Sequence, residues 1–280
     1  MKTGVRVHDF GKSNAKFLAR QAKEVGFDAV QFVINKAIEG ETGAAGTLND
    51  EKVNAFYEAF NDEGIEICLL GAYFNPVHSN KELVAKNVAK FKEHLLYENK
   101  FHARAVGTET GSYNDDKWTY NPLNRTEEAF LENVRIFKDI AKYAEEVNAN
   151  FALEGAFAHC MHSPQMLKKL SDEINSSNQY FIVDIYNYLA YENYDKQIQI
   201  FDECLELFND RIIIFHIKDF IVDEENKKLV QCCIGKGIMN YDYMIPKMKE
   251  KCPNAVLVFE GSKPEDMQFS YNFIKNKLGE

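Results

Sequence analysis

The chain has 280 residues, 45% hydrophobic and 27% charged, which is the composition of a folded globular protein and excludes disordered and fibrous classes. Acidic residues outnumber basic ones by 43 to 33, and the formal net charge of −10 argues against a general electrostatic hold on nucleic acid, which needs a basic surface. The six Cys are scattered without a C-x-x-C pair, and neither a signal core near the start nor a membrane-length apolar run is present. We therefore expect reduced thiols, a cytoplasmic location, and neither a membrane nor a nucleic acid as partner.

Short apolar segments alternate with helical patterns along the chain. In the first half, the predicted strands are residues 4–7, 29–33, 66–70 and 103–106. Helices are predicted to begin at residues that cap helix N-termini well, namely Ser13, Asn49 or Asp50, Ser79 or Asn80, and Thr126. A polar loop over residues 107–124 follows the fourth strand and holds the only Trp, Trp118.

The second half repeats this scheme. Its predicted strands are residues 151–153, 181–183, 212–215 and 255–259. Its predicted helices are residues 164–172, 194–208, 241–251 and a last one from 264, and Ser163 with Pro164 supplies an N-cap followed by proline at the first helical position. The polar stretch 218–237 is predicted to hold a small hairpin.

The strands predict the fold class. They are apolar at nearly every position and rarely alternate, as expected for strands buried on both faces of a parallel sheet. Eight strand–helix units in this length predict an α/β protein, a single closed (β/α)₈ TIM barrel domain over residues 1–280. The alternative is an open doubly wound sheet, which usually has a Gly-rich phosphate loop after the first strand. Gly4 and Gly11 flank that position here without a G-x-G-x-x-G motif, which favours the barrel.

Function in such barrels lies at the carboxyl ends of the strands. Strands five to eight end, in order, on Glu154, Asp184, His216 and Glu260. Three carboxylates directed at one place repel one another, and burial adds to the cost, so a divalent cation is expected between them. Three oxygen ligands and one imidazole suit Mn²⁺ or Mg²⁺ better than a thiolate-type zinc site. Solvated strand ends would explain any one of these residues, but four consecutive strands favour the metal.

An ordered set of motifs resembles a known family. The segments VRVHDF, AYFNPVH, VGTETGS, LEGAFAH, VDIYNYL, FHIKDF, IGKG and VFEG span most of the chain. They resemble the xylose-isomerase-like barrel family of sugar phosphate isomerases and epimerases, which includes ketohexose 3-epimerases and, more distantly, endonuclease IV. The resemblance implies that Glu154, Asp184, His216 and Glu260 are the metal ligands. It also implies that Glu154 and Glu260 are the catalytic pair that transfers the proton.

The resemblance implies a metal-dependent sugar isomerase or epimerase. A divalent cation polarises a carbonyl or hydroxyl and lowers the pKa of the adjacent C–H. One Glu removes that proton to give an enediolate, and the other returns it from the opposite face, which inverts the configuration. We expect Mn²⁺ as the metal, with Mg²⁺, Co²⁺ or Zn²⁺ as alternatives. A small-molecule ketose or keto-glycoside is the expected substrate, and a homo-oligomer is the expected assembly.

Two positions depart from the ketohexose 3-epimerase pattern. The family places a His three residues after the strand-six Asp, where this chain has Asn187, and an Arg after the strand-seven His, where it has Lys218. These departures favour other sugars, such as 3-keto-glycosides or inositol-type ketoses, acted on by epimerisation or by a lyase reaction at a related enediolate.

Further polar residues at the strand ends are candidate substrate contacts. They are His8, Tyr73, Asn75, Glu109, His159, Asn187 and Lys218. His8 could equally well form a hydrogen bond within the barrel mouth. The loop aromatic residues could equally well serve only to pack the loop.

Two other functions compete with the sugar enzyme. An endonuclease IV-type phosphodiesterase needs a His-rich cluster for several zinc ions and a basic surface, whereas this chain has seven His and is acidic. The second competing function is a barrel that binds a sugar without turnover. The set of four metal ligands argues against this function.

Overall fold

The computed structural model describes residues 1–280 and contains ten strands. In chain order they are β1 (Thr3–Arg6), β2 (Ala29–Phe32), β3 (Glu66–Gly71), β4 (Val106–Glu109), β5 (Phe151–Glu154), β6 (Gln179–Asp184), β7 (Ile212–Ile217), β8 (Asp219–Asp223), β9 (Lys228–Cys232) and β10 (Val256–Phe259). Strands β1 to β7 and β10 close a parallel barrel, in which β1 pairs with both β2 and β10. Strands β8 and β9 form a separate antiparallel hairpin.

Ten α-helices accompany the strands. They are α1 (Ala15–Val25), α2 (Ile34–Ala37), α3 (Asp50–Asn61), α4 (Lys81–Glu98), α5 (Glu127–Glu146), α6 (Pro164–Ile174), α7 (Ile185–Tyr188), α8 (Gln197–Phe208), α9 (Tyr241–Lys251) and α10 (Met267–Leu278). The predicted (β/α)₈ barrel and the predicted hairpin are confirmed. None of the helices combines the length and the apolarity needed to cross a membrane.

The fourth strand was predicted three residues too early. The predicted segment 103–106 is mostly the exit from α4, because the N–H of Ala103 still donates to the carbonyl of Glu98 at 3.2 Å. His102 before it is left-handed, with φ 50°. Pairing with β3 begins only at Val106, opposite Leu70. This shift places Glu109 at the end of a strand, where it pairs with Glu154.

Three helix starts also differ from the prediction. Asn14, not Ser13, caps α1, because its side-chain oxygen accepts from the Phe17 N–H while the backbone of Ser13 pairs with the segment after α2. The predicted helix 194–208 and the predicted last helix from 264 each begin as a 3₁₀ turn, and the α-helices proper start at Gln197 and Met267. Of these three starts, only that of α1 is fixed by a side chain that accepts from a free N–H group of the first turn.

The core explains why the strands are apolar on both faces. One cluster lies between the strands and the helices, and a second, smaller one fills the inside of the barrel. The inner cluster consists of Ala29, Cys68, Leu69, Ala105, Ala152, Ile182, Ile214, Val256 and Val258. A filled interior leaves no channel, so polar chemistry is confined to the carboxyl end of the barrel.

Candidate functional site

Four predicted side chains meet at the carboxyl end of the barrel. Glu154 ends β5, Asp184 ends β6, His216 lies near the end of β7, and Glu260 follows β10. Their potential ligand atoms all lie within 4.8 Å of one another, and only Glu260 is less than fully buried. The register of the barrel produces this closeness, because Asp184 pairs with His216 directly across the β6–β7 ladder. The structure thus brings together the four residues predicted as metal ligands.

His216 is oriented from the side that faces away from the carboxylates. Its Nε2 lies 2.7 Å from the Gln31 side-chain oxygen, and the Gln31 amide donates to the Tyr73 hydroxyl at 2.8 Å. Because an amide oxygen only accepts, Nε2 carries a proton and Nδ1 faces the cluster. Nδ1 lies 2.9 Å from Glu260 Oε2 and 3.4 Å from Glu154 Oε1. Burial lowers the pKa of His216, but these two carboxylates outweigh burial and raise it to about 10.

Two further cations contact the same carboxylates. Lys218 Nζ lies 2.8 Å from Asp184 Oδ2 and 3.1 Å from Glu260 Oε1. The Arg6 guanidinium donates to Glu260 Oε1 at 2.9 Å and pairs with Asp9. Burial raises the pKa of Glu260, but Lys218 and the neighbouring cations outweigh it and hold the pKa well below its ordinary value. Glu260 is therefore ionised, and both of its oxygens are engaged.

Asn187 joins the cluster to its surroundings. Its side-chain amide donates to Glu154 Oε1 at 2.7 Å, and its oxygen accepts from Lys218 Nζ at 3.1 Å. Its backbone N–H also donates to Asp184 Oδ1, which caps the short helix α7. The predicted departure at this position thus lies beside two of the four clustered residues.

The donor set fits a divalent cation. Carboxylate oxygens and an imidazole nitrogen are ligands of Mn²⁺, Mg²⁺ and similar ions. Asp184 Oδ2 is buried without a hydrogen bond of good geometry, and the Lys218 ammonium pairs with it at 2.8 Å. An imidazole whose other nitrogen is held by a second residue is the usual arrangement of a metal ligand. The Lys218 ammonium, however, competes for the same oxygens, so a metal must displace part of its contacts.

Two adjoining cavities open at this end of the barrel. The inner cavity, of about 220 Å³, is bounded mainly by Arg6, His8, Gln31, Tyr73, Glu109 and Glu260. The outer cavity, of about 650 Å³, is bounded mainly by Glu109, Trp118, Tyr120, Phe157, His159 and Tyr191. Glu109 and Trp118 line both cavities. Burial, followed by the Glu154 and Glu260 charges, raises the pKa of Glu109 to about 8, so that a protonated carboxyl faces both spaces at neutral pH.

Five of the predicted substrate contacts line these cavities. His8 and Tyr73 face the inner cavity, Glu109 faces both, and His159 and Asn187 face the outer one. Burial is the main cause of the lowered pKa values of His8, about 3, and His159, about 4, so both imidazoles are neutral near pH 7. Each has a buried Nδ1 without a hydrogen-bond partner.

Two predicted substrate contacts lie outside both cavities. Asn75 lines neither cavity, because its amide donates to the carbonyls of Ser112 and Asp115 at 2.6 and 2.8 Å and its oxygen accepts from the Val77 N–H. It fixes the loop after β4 instead. Lys218 lines neither cavity either, because its ammonium is buried among the carboxylates.

Sequence reasoning missed Arg6 and Gln31. Both lie within strands, Arg6 as the last residue of β1 and Gln31 as the third residue of β2, rather than after them. A signal was available for Gln31, because a lone amide in the apolar segment AVQF is buried and needs a hydrogen-bond partner.

Comparison with known proteins agrees with the geometry. A sequence model of the xylose isomerase-like TIM barrel family matches residues 19–277. The chain belongs to this family. No curated protein matches its sequence. Membership in the xylose isomerase-like family confirms the predicted resemblance, and the family includes enzymes of more than one kind.

Solved structures share this barrel at low sequence identity. A D-tagatose 3-epimerase-like protein superposes with a TM-score of 0.76 at 20% identity, covering 100% of this chain and 97% of its own. A xylose isomerase-like protein from Mycobacterium smegmatis, in complex with magnesium, gives 0.74 at 15%, with 99% and 96% covered. A D-psicose 3-epimerase, solved in the presence of D-fructose, gives 0.72 at 15%, with 100% of both chains covered. At this identity, the likeness establishes the fold.

Proposed function

We propose that this chain is a divalent-metal-dependent sugar epimerase or isomerase that acts on a ketose or keto-glycoside. The observation that carries the proposal is the cluster of Glu154, Asp184, His216 and Glu260, whose potential ligand atoms lie within 4.8 Å of one another. The cluster adjoins the inner cavity through Glu260, so a small sugar in that cavity reaches it. Family membership and the epimerase names of similar structures support the same reaction class.

Glu154, Asp184, His216 and Glu260 are the proposed metal ligands. When bound, the cation polarises the substrate carbonyl and acidifies the adjacent C–H. Three hard oxygens and one nitrogen favour Mn²⁺, with Mg²⁺, Co²⁺ and Zn²⁺ as alternatives.

The two glutamates are the proposed acid–base pair. Glu260 is ionised in the resting site because cations surround it, and the ionised form is the one that can act as a base. Glu154 is held by the Asn187 amide and lies on the β5 side of the cluster, away from Glu260 in the order of strands. One carboxylate removes the proton next to the carbonyl and the other returns it to the opposite face of the resulting enediolate, so configuration inverts.

A lyase reaction is the second candidate, and Glu109 favours it. A carboxyl that is protonated at neutral pH lies between the two cavities, beside the cluster. If Glu260 removes the proton and the C–O bond at the next carbon breaks, Glu109 can protonate the departing oxygen. The products are then an unsaturated ketone and water or an alcohol. The same proton abstraction thus leads to either outcome.

The test measures deuterium uptake. Purified protein is incubated with Mn²⁺ and a panel of ketoses and keto-glycosides in D₂O, and NMR locates deuterium next to the carbonyl. An epimerised product retains all oxygens of the substrate, whereas the product of a lyase reaction is an enone. We expect Glu260→Gln to lower exchange by about 10²–10⁴-fold, the usual contribution of a positioned acid or base.

Glu66→Gln is the matched control. Glu66 begins β3 at the amino end of the barrel, where it pairs with Arg104 and Lys2. The Glu66→Gln variant should retain the full rate of deuterium exchange. Absence of exchange across the panel from protein with bound metal would overturn the proposal, and full activity of Glu260→Gln would overturn its role as base.

A further inference from the structure

We infer that the outer cavity is a second binding subsite, which holds the ring attached to the reacting sugar, so that the substrate is a two-ring glycoside rather than a free monosaccharide. The inference rests on the proposed function for the identity of the ring in the inner cavity. It is carried by the junction of two cavities, by an aromatic wall and by a histidine with an unpartnered ring nitrogen in the lining of each cavity.

The cavities differ in size and lining. The inner one has about 220 Å³ and is lined mostly by polar and charged side chains. That volume lies below the roughly 300–1,000 Å³ of pockets for drug-sized ligands, so it suits one small ring. The outer one has about 650 Å³ and is lined mostly by apolar side chains. Because Glu109 and Trp118 line both, the two cavities adjoin at these side chains, and a ligand that occupies both must contact them.

The outer cavity presents aromatic faces. Trp118 is 40% exposed and Tyr120 is 51% exposed, although large aromatic side chains usually bury their area. Phe157 and Tyr191 line the same space. Such faces stack on the C–H surface of a sugar ring or on an aromatic ring. An extended hydrophilic ligand has no flat apolar surface to stack on them.

The aromatic wall is held in place before any ligand binds. The Arg125 guanidinium lies over the rings of Tyr120 and Phe157, at 5.1 and 5.6 Å from their centroids. It also donates to the carbonyl of His159 at 2.7 Å. Trp118 packs against the His159 ring with the centroids 5.2 Å apart. A wall fixed in this way binds a ring with little ordering cost.

Each cavity is also lined by a histidine with an unpartnered ring nitrogen. His8 lines the inner cavity and His159 lines the outer one, and the Nδ1 atom of each is buried without a hydrogen bond. Buried polar atoms without partners are rare in folded proteins and need an explanation. If each imidazole turns its Nδ1 toward the cavity that it lines, a hydroxyl on each of two linked rings supplies both partners. This points to a glycoside whose outer ring carries an apolar face and a hydroxyl, either a second sugar or a phenol.

The test uses unreactive ligands and the only Trp. Trp118 lies at the junction, so its fluorescence reports binding without catalysis. Two series are titrated, D-glucose with methyl β-D-glucoside, cellobiose and 4-hydroxyphenyl β-D-glucoside, and the corresponding D-galactose series with lactose. We expect the two-ring ligands of at least one series to bind about tenfold tighter than the one-ring ligands. Tighter binding of the disaccharide identifies a sugar, and tighter binding of the hydroxyphenyl glycoside identifies a phenol.

Variants separate the subsite from the rest of the site. Tyr120→Ala and Tyr191→Ala should abolish the two-ring advantage and leave one-ring affinity unchanged. Tyr57→Ala, on α3, is the matched control and should change neither. Lack of any two-ring preference in both series, whether or not single rings bind, overturns the inference.

The outcomes also distinguish the two proposals. Deuterium exchange on single-ring ketoses without two-ring preference would leave the proposed function standing and remove only the subsite. Two-ring preference without exchange on any keto-sugar would leave the subsite standing and remove the proposed function.

Discussion

At the scale of single residues, Lys218 compensates part of the negative charge of the site. Its ammonium lies 2.8 Å from Asp184 and 3.1 Å from Glu260, and its side chain is buried. Buried carboxylates are costly unless a cation compensates them. Lys218 therefore supplies part of the compensation that a bound metal would otherwise provide.

Replacing Lys218 by Met is expected to have two opposite effects. Without metal, the variant should lose stability, by the order of about 3–5 kcal/mol that follows removal of one partner from a buried pair. With Mn²⁺, its melting temperature should rise more than that of the wild type, because the metal then has no competing cation. Thermal unfolding with and without Mn²⁺ measures both effects.

Lys36→Met is the control for this prediction. Lys36 lines the inner cavity but forms no ion pair with the carboxylates, and it is exposed. If Mn²⁺ raises the melting temperature of Lys218→Met no more than it raises that of the wild type and of Lys36→Met, Lys218 does not compete with the metal.

Gln31 orients His216 and should control metal affinity. In Gln31→Leu, Nε2 of His216 loses its acceptor and the ring is free to turn, so Mn²⁺ affinity measured by calorimetry should fall about 10–100-fold. Gln31→Glu retains an acceptor and should recover much of it. Gln179→Leu removes an equally buried amide at the start of β6, far from the cluster, and should leave Mn²⁺ affinity unchanged. An unchanged affinity in Gln31→Leu would contradict the positioning role.

At the scale of elements, the hairpin is fastened by one carboxylate. Asp219 accepts the N–H groups of Gly235, Gly237 and Met239 at 2.9 to 3.0 Å, which draws the segment after β9 onto the first residue of β8. A Cβ on Gly237 would lie 2.2 Å from Asp219 Oδ1, so only glycine fits there. The IGKG motif is thus explained by this close approach.

Helix α4 ends on a buried acid. Glu98 is 2% exposed, and burial raises its pKa to about 7, although the Asn150 N–H lowers it. A carboxylate at a helix C-terminus is also opposed by the helix dipole. The ionised form of Glu98 is therefore a cost to the folded state.

The pH dependence of this cost has a definite sign. Below about pH 4.5 Glu98 is protonated in both states, whereas between pH 4.5 and 7 the unfolded chain loses the proton first, so stability falls as the pH rises. Above pH 7 the penalty is complete. Glu98→Gln should therefore gain about 2–3 kcal/mol relative to wild type between pH 4 and pH 8, from the size of the shift.

Urea unfolding at the two pH values measures this gain. Glu146→Gln is the matched control, because Glu146 is the last residue of α5 and is exposed to water. Equal pH dependence in Glu98→Gln and in wild type would contradict the assignment.

At the scale of the whole molecule, the barrel closes through β1. This strand pairs with β10 on one side and β2 on the other, so it removes both sheet edges at once. Gly4 lies at a close approach between strands, since a Cβ there would be 2.9 Å from the Ala29 carbonyl oxygen and 3.3 Å from Val256. Glycine at this position allows the neighbouring strand to approach.

Substitution of Gly4 should therefore destabilise the fold. Val favours strands by propensity, but overpacking against backbone costs typically about 1–3 kcal/mol. We expect Gly4→Val to lower the melting temperature by several degrees and Gly4→Ala to lower it less, because Ala adds only the Cβ. Calorimetry of both variants measures the effect, and a higher melting temperature for Gly4→Val would show that strand propensity dominates.

Part of the site could be predicted from the sequence because of the symmetry of the fold. In a parallel barrel all strands end at the same face, so the residue that follows each apolar run is directed to one place. This geometric rule identified Glu154, Asp184, His216 and Glu260 as neighbours, although their roles as ligands stay a proposal. The number and order of the strands followed from the same periodicity.

Other features depended on contacts between residues distant in the chain. Arg6 reaches Glu260 across the β1–β10 closure, and Gln31 reaches His216 across the barrel. No local pattern encodes such pairs, because which side chain a buried group meets depends on how the strands are registered and on rotamers. Asn75 was predicted to contact the substrate because the sequence does not show that its side-chain amide donates to the carbonyls of the loop after β4.

The sequence by itself therefore determined the barrel, its strand order and the four acidic and imidazole side chains at its rim, since these depend on hydrophobic periodicity and on where each strand ends. Only the tertiary structure decided that Lys218 lies among the carboxylates, that Gln31 fixes the imidazole, and that two cavities adjoin at Glu109 and Trp118. The physical reason is that charge compensation and cavity shape arise from distances between side chains, which the order of residues along the chain does not specify.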